Sequence, residues 1–468
     1  MSVAVASGAL VGIHAVPIRV EVDLLKRLPA VCIVGLAANA VREAAERVRC
    51  AITAMDEEFP RQRVIVNLAP ADVRKDGMSF DLPIALGVLA ADGKIDAERL
   101  EGYLFAGELS LSGELRPVRG VLSFADLAVK LGKALIVPEA QAAQAGLVPD
   151  VRVYGARTLS AVVAHLRGER ELTEYGASGP VRVVRTDTVD LRDVRGQPEA
   201  RRALEIAAAG GHTLLLVGPP GSGKSMLARR LSTILPPQTL AEALATTKIA
   251  GAAGLLGETP ELLGRPFRAP HHTVTVAGLM GDRRLRPGEV TLAHNGVLFL
   301  DEAPEFPRGV LDMLRQPIKE GVVWTACGDG TSAAFPAEAL VVFAMNACPC
   351  GRLGSKQTCH CTEVEVAKYP KRLDPILPLV DLRVRVFPVS AAQLAGEAEA
   401  EDSATVQARV VAARAFKAAR GIMPFHADDA GLAPMRTLRV ARTIADLAGS
   451  DRIQPKHVGE AARLTGGV

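Results

Sequence analysis

Aromatic residues are scarce: one Trp, four Tyr and 12 Phe in 468 residues. That excludes a broad platform on which successive bases of single-stranded nucleic acid would stack. Charge of one sign is scarce too. The 55 Lys and Arg against 52 Asp and Glu leave a formal +3. A histone-like polycation is excluded, and any nucleic-acid contact must use local basic patches. No run approaches the ~18 apolar residues that a membrane helix needs. The opening MSVAVASGALVGIHAVPIRV has no Lys or Arg before Arg19. It lacks the positive region of a signal peptide and reads as strand. Seven cysteines, an odd number, exclude a disulfide scaffold. They point to a reducing compartment, and the expected location is cytoplasmic.

What is present is an ordinary globular balance, 49% hydrophobic and 23% charged, with length for about two to four domains. Residues 1–167 alternate strand and helix patterns. Arg19–Asp23, Val64–Leu68 and Ala134–Pro138 read as strands. Val41–Met55, Phe80–Ala91 and Leu159–Leu166 read as helices, the second with a proline in its first turn. Leu104–Val121, with three glycines, has a hairpin pattern. Residues 168–188 lack apolar periodicity and are expected to be a linker. A second unit over 189–389 opens with a helix from Pro198 to about Ala209, stopped by Gly210-Gly211. The remainder, 390–468, is Ala-rich and helical. The expected class is α/β.

The chemistry centres on Thr213–Val217, an apolar strand that runs into Gly218-Pro219-Pro220-Gly221-Ser222-Gly223-Lys224-Ser225 and then a helix. This is G-x-x-x-x-G-K-[ST] in strand–loop–helix context. Glycines let backbone N–H groups face phosphate oxygens, and the helix start adds partial positive charge. The motif predicts Lys224 on the β- and γ-phosphates of ATP and Ser225 on Mg²⁺. A plain glycine-rich turn is the bland alternative.

A second apolar strand, Val297–Leu300, ends in Asp301-Glu302, at the strand end where open α/β sheets bind ligands. Asp301 is expected to hold Mg²⁺ and Glu302 to polarise the attacking water. The alternative is a solvated acidic turn. A third strand, Leu340–Met345, ends in Asn346, placed to hold that water or merely to cap a turn.

Directly after it come Cys348-Pro-Cys350 and Cys359-His-Cys361. Four thiolates in tight pairs suit tetrahedral Zn²⁺, although C-x-C is less usual than C-x₂₋₄-C. Reduced thiols folding a loop and a redox switch are the alternatives, and His360 is a substitute ligand. Cys32, Cys50 and Cys327 are scattered. His271-His272 after Ala-Pro suits a structural or pore loop better than a metal site. Arg283-Arg284-Leu285-Arg286, between Gly281 and Pro287, suits phosphate contacts or a solvated loop equally.

Several longer phrases carry a resemblance. They are Asp193-Val-Arg-Gly-Gln197, Ala207-Ala-Ala-Gly-Gly-His212, Arg268-Ala-Pro-His-His272, Leu292–Glu302, Cys348-Pro-Cys-Gly351 and Val440–Asp446. With Asn67–Asp72 and Phe80–Ala85, the chain resembles the magnesium-chelatase-like AAA+ family, in its ComM/YifB branch. The resemblance implies a Lon-protease-like N-terminal domain, a P-loop AAA+ module with a central parallel sheet, and a small helical lid. It also implies ATP and Mg²⁺, a homo-oligomeric ring that is a hexamer in the branch, and DNA branch migration as the work done. No membrane partner is implied.

The sequence departs from that pattern in places. Relatives supply an arginine finger in a phrase that here reads Ile376-Leu-Pro-Leu-Val-Asp381, with Leu379 at the arginine position. A sensor arginine aligns with Leu432, and the lid between about Arg420 and Ala430 is short. Arg372, Arg383, Arg385 and Arg436 are nearby substitutes. Losing a finger costs ~10³–10⁵ in turnover, so binding is expected more firmly than fast hydrolysis. Lys75-Asp-Gly-Met-Ser79 resembles the Lon nucleophile segment. The matching position for the basic lysine is Leu122, which cannot take a proton, so proteolysis is not expected. Three readings result: a DNA-remodelling motor, a hydrolysis-impaired nucleotide switch, and a chelatase motor subunit.

Overall fold

The computed structural model describes residues 2–35, 43–75, 77–176, 183–184, 188–257, 259–327, 332–355, 357–389, 400–421 and 433–466. It is a mixed α/β protein. Among the described residues no helix is long and apolar enough to cross a membrane.

The first region carries two sheets. Val3–Val11 pairs antiparallel with His14–Leu25, which pairs antiparallel with Arg63–Ala69; Ala30–Val34 completes that sheet in parallel. Alternating burial along Val3–Val11 and Arg63–Ala69 puts Val5, Val64, Val66 and Leu68 inside, the period-2 signature of a half-covered sheet. The helix Asp81–Ala91 lies across it and is buried almost all round, so it shows no helical stripe. The second sheet runs Tyr103–Phe105, Ala134–Pro138 and Val153–Ala156 in parallel.

The expected Leu104–Val121 hairpin is smaller than its glycine spacing implied. Only Glu108–Leu109 and Leu115–Arg116 pair that way, because Tyr103–Phe105 is taken by the parallel sheet. The stretch 168–188 also does more than link. Thr173–Tyr175 adds an antiparallel edge to Val153–Ala156, and Val183–Val184 pairs with Leu262–Leu263 of the next region. Short edge strands of mixed polarity leave no apolar period to read.

The second region is built on five parallel strands in the order Phe267–Arg268, Val297–Leu300, Leu340–Met345, Leu214–Val217, Leu382–Arg385. The three middle strands are buried along their whole length. They read as unbroken apolar runs because helices cover both faces of a parallel sheet. Pro198–Gly210 and Lys224–Ile234 pack on one face with the C-terminal helices Ser403–Arg420, Met435–Leu447 and Pro455–Gly466. His212 ties the sheet to the C-terminal helices: its Nε2 lies 2.8 Å from Thr443 Oγ1 and its Nδ1 3.4 Å from the Asp381 carboxylate.

The two regions touch directly. The turn of the first hairpin inserts Ile13 into the core that holds Leu215, Phe335 and Phe343. Gly12 sits at φ +63, and a Cβ there would lie 3.1 Å from Ala333. Gly120 N–H donates to Gly251 O at 3.2 Å, and Lys248 pairs with Asp126 at 3.0 Å.

Candidate active site

Gly218, Asp301 and Asn346 each follow the last residue of a neighbouring parallel strand. Sheet order therefore gathers three polar ends into one crevice. Gly218 is required by packing, since a Cβ there would lie 2.1 Å from Val386 O. Gly221 and Gly223 are required by conformation, with φ of +74 and +100 and nothing within 4 Å of an added Cβ. The loop turns into the helix at Lys224.

Lys224 is only 8% exposed. Its ammonium donates to Gly218 O at 2.6 Å, Pro219 O at 3.0 Å and Asn346 Oδ1 at 3.2 Å. Burial pushes its pKa down, and the charges of Asp301 and Glu302 oppose that shift. Its direct acceptors are neutral, so a buried cation here would gain from an anionic partner. Ser225 Oγ donates to Asp301 Oδ2 at 2.7 Å, which joins the two expected Mg²⁺ ligands. Ser222 Oγ is buried without a protein partner. These donors fit a nucleotide triphosphate with its metal.

Glu302 holds φ +51, ψ +43, the left-handed region that costs a non-glycine residue of order 1 kcal/mol. The backbone there turns from strand into the short helix Ala303–Glu305, and Glu302 N–H donates to Asp301 Oδ1 at 3.0 Å. Its carboxylate is half exposed and lies 3.8 Å from His272 Nδ1. His272 stacks on His271 at 4.0 Å between ring centres and meets Phe306 edge-on at 6.4 Å. The histidine pair, read from sequence as a structural or pore loop, thus stands beside Glu302, the residue expected to activate water. No local signal links residues 272 and 302.

The four cysteine sulfurs of residues 348, 350, 359 and 361 lie within 4.8 Å of one another. Cys348–Cys350, Cys348–Cys359 and Cys350–Cys359 are 3.4, 3.7 and 3.6 Å apart. Tetrahedral zinc with bonds of about 2.3 Å separates its sulfurs by about 3.8 Å, so the donor set fits that ion. The Arg352 N–H, then that of His360, draws the Cys350 thiol down to about 6. His360 is exposed and is not among the four clustered donors.

Three of the four proposed substitute arginines bond to other groups of this chain. Arg372 pairs with Glu305 at 3.1 Å, Arg383 donates to Leu377 O at 3.4 Å and Arg436 to Pro378 O at 3.0 Å. Arg385 is exposed at its strand end. Leu379 lies in the short helix Leu377–Leu379 and carries no charge; Leu432 is outside the described residues. Sequence reasoning missed Arg439, which pairs with Asp381 at 2.9 Å.

In the first region Lys75 is fully buried and donates to Pro70 O. Leu122, at the position where a base would stand, is buried in the helix Val121–Leu131. Arg283, Arg284 and Arg286 are exposed on a turn tied by Asp282 Oδ1, which accepts the N–H groups of Arg284 and Arg286. That turn packs on the hairpin Val322–Ala326/Ser332–Pro336: Cys327 Sγ lies 2.8 Å from Arg283 O. The hairpin presents the single tryptophan, Trp324, 62% exposed. A lone exposed tryptophan escaped a reading that looked for many aromatics.

Residues 190–394 match the family described as magnesium chelatase, subunit ChlI; residues 20–141 match subunit ChlI of Mg-chelatase; residues 432–465 match its C-terminal part. The chain is 40% identical to YifB of Salmonella typhimurium over 97% of this chain and 95% of that protein. It is 38% identical to the competence protein ComM of Haemophilus influenzae over 98% and 97%. It is 39% identical to Rv2897c of Mycobacterium tuberculosis over 95% and 94%.

Proposed function

We propose, for a chain that belongs to the magnesium-chelatase-like ComM/YifB family of AAA+ ATPases, that it binds Mg-ATP at Gly218–Ser225 and hydrolyses it. The observation that carries this reading is the meeting of Lys224, Ser225, Asp301, Glu302 and Asn346 at three strand ends. Nucleotide with Mg²⁺ supplies the transferable phosphoryl group. Backbone N–H groups of the loop and the Lys224 ammonium hold the phosphates, and Ser225 with Asp301 holds the metal. Glu302 accepts a proton from the attacking water, and Asn346 orients that water beside Lys224. The cysteine set binds structural zinc.

The work done is DNA remodelling by a homo-oligomeric ring, the role that the family resemblance implies; one relative is named a competence protein. The exposed Arg283, Arg284 and Arg286, and the exposed Trp324, support a nucleic-acid partner, since cations meet phosphates and an indole stacks on a base. The first region serves as a non-proteolytic Lon-like domain, because Leu122 offers no base. The second reading, a nucleotide switch that turns over slowly, is favoured by Leu379 and by the engagement of Arg372, Arg383 and Arg436 within this chain.

The test is ATP hydrolysis by the purified protein, with and without single-stranded and branched DNA. Glu302→Gln should lower turnover by about 10²–10⁴ while leaving binding intact. DNA-stimulated turnover lost in that variant supports the motor. Binding without turnover above the variant's level selects the switch.

A further inference from the structure

The cysteine loop leaves the same strand that ends in Asn346 and returns over the nucleotide loop. Gly351, directly after Cys350, holds φ +74, and a Cβ there would lie 2.9 Å from Pro220 Cγ and 3.7 Å from Asn346 Nδ2. Pro220 belongs to the phosphate loop, and Asn346 accepts from Lys224. The first cysteine pair is therefore packed on the loop that cradles phosphate. Cys348 is fully buried, and its carbonyl accepts the Gly351 N–H at 3.0 Å; its sulfur accepts the Leu353 N–H at 3.4 Å.

The second pair faces the other half of the site. Cys361 precedes Thr362, which caps the helix Glu363–Lys368. That helix runs into Tyr369, whose hydroxyl donates to Glu305 Oε1 at 3.1 Å, and Arg372 binds the same carboxylate. Glu305 ends the short helix that Glu302 begins. One cysteine pair thus abuts the phosphate loop, and the other leads to the acidic turn.

We infer that zinc held by Cys348, Cys350, Cys359 and Cys361 is a clamp that fixes the phosphate loop and the acidic turn relative to each other. The inference rests on the nucleotide reading above. A loop of this length has few apolar contacts of its own: apart from Cys348 and Gly351, its described residues are exposed or half-exposed. Without a cross-link such a loop has little packing energy to hold Gly351 against Pro220. Four thiols lose their protons to solvent as they ligate, and the site supplies the missing rigidity. A zinc on four thiolates carries net negative charge, so its effect on phosphate binding is mechanical and not an attraction.

The experiment uses the full chain purified without chelator. Zinc is counted by elemental analysis, and a fluorescent ADP analogue is titrated with Mg²⁺ present. The variants are Cys359→Ser with Cys361→Ser, and Gly351→Ala. The wild type should hold about one zinc per chain. The double serine variant should lose it and bind ADP about tenfold more weakly, and a zinc-selective chelator should do the same to the wild type. Gly351→Ala keeps all four thiols, so it should keep zinc yet weaken ADP binding, because its Cβ displaces Pro220. It carries the test if the double variant does not fold.

No zinc in the wild type overturns the inference. So does a disulfide in its place, or ADP affinity unchanged when zinc is removed or when Gly351→Ala is folded and loaded. Zinc at full occupancy with no ADP binding at all overturns the nucleotide reading together with the clamp. Tight ADP binding indifferent to zinc overturns the clamp alone.

Discussion

Two lysines in this chain share much of their surroundings and differ in what they can do. Lys224 follows Gly223 at φ +100, and Lys75 lies two residues before Gly77 at φ +103. Both are buried, and burial pushes both pKa values down. Each has a serine close by, Ser225 and Ser79. The partners separate them. Lys224 bridges Gly218, Pro219 and Asn346 beside the Ser225–Asp301 pair, with open space around Gly221 and Gly223. Lys75 gives its ammonium to Pro70 O, and among the described residues Asp72 favours its charge. A buried lysine near a serine is therefore no site by itself. It becomes one where parallel strand ends bring carboxylates and amides to it.

The contrast can be broken most forcefully at Lys224. Lys224→Ala should weaken Mg-ATP binding at least about 100-fold, the loss of a desolvated charge partner. Equilibrium titration of a fluorescent ATP analogue measures it, and near-normal affinity would remove the phosphate reading.

A smaller effect is expected where the lid meets the sheet. Burial opposes ionisation of Asp381, yet His212, Arg439 and the Thr213 N–H together hold its pKa below the usual carboxylate range. A folded pKa below the unfolded value of about 3.9 means stability that is full above that value. It is lost as pH falls through the folded pKa. Asp381→Asn should therefore cost about 1–3 kcal/mol near neutral pH. The gap to wild type should close as pH drops below about 4. Urea unfolding at a series of pH values checks the sign; a gap that widens in acid contradicts it.

The smallest effect belongs to the first region. Ser79→Ala should leave ATP turnover within about twofold, the scale of a substitution away from any site. A peptide-cleavage assay should find nothing for the variant to lose. Loss of a peptidase activity would make the two lysines equivalent after all.

Much of the nucleotide site was legible because it is local. Strand, glycine loop, lysine and helix are contiguous over Leu214–Ile234, and Asp301 and Asn346 end apolar runs that a parallel sheet requires. The C-x-C pairs were visible for the same reason. The helix Asp81–Ala91 was found from composition and not period, since it is buried all round. What stayed hidden depended on long separations: His272 beside Glu302, Cys327 beside the arginine turn, and Ile13 inside the core of the second region.

The sequence by itself determined which groups this protein has for phosphate chemistry, because motif spacing and apolar runs act within a few residues. Tertiary structure decided which of them meet. Gly351 reaches Pro220 across 131 positions only because adjacent parallel strands carry both loops to one edge. Lys75 gives its ammonium to Pro70 O, and Leu122 is buried in the helix Val121–Leu131. Chain-local physics sets side-chain chemistry and element type; sheet order, which joins distant segments through backbone pairing and buried area, sets the neighbours.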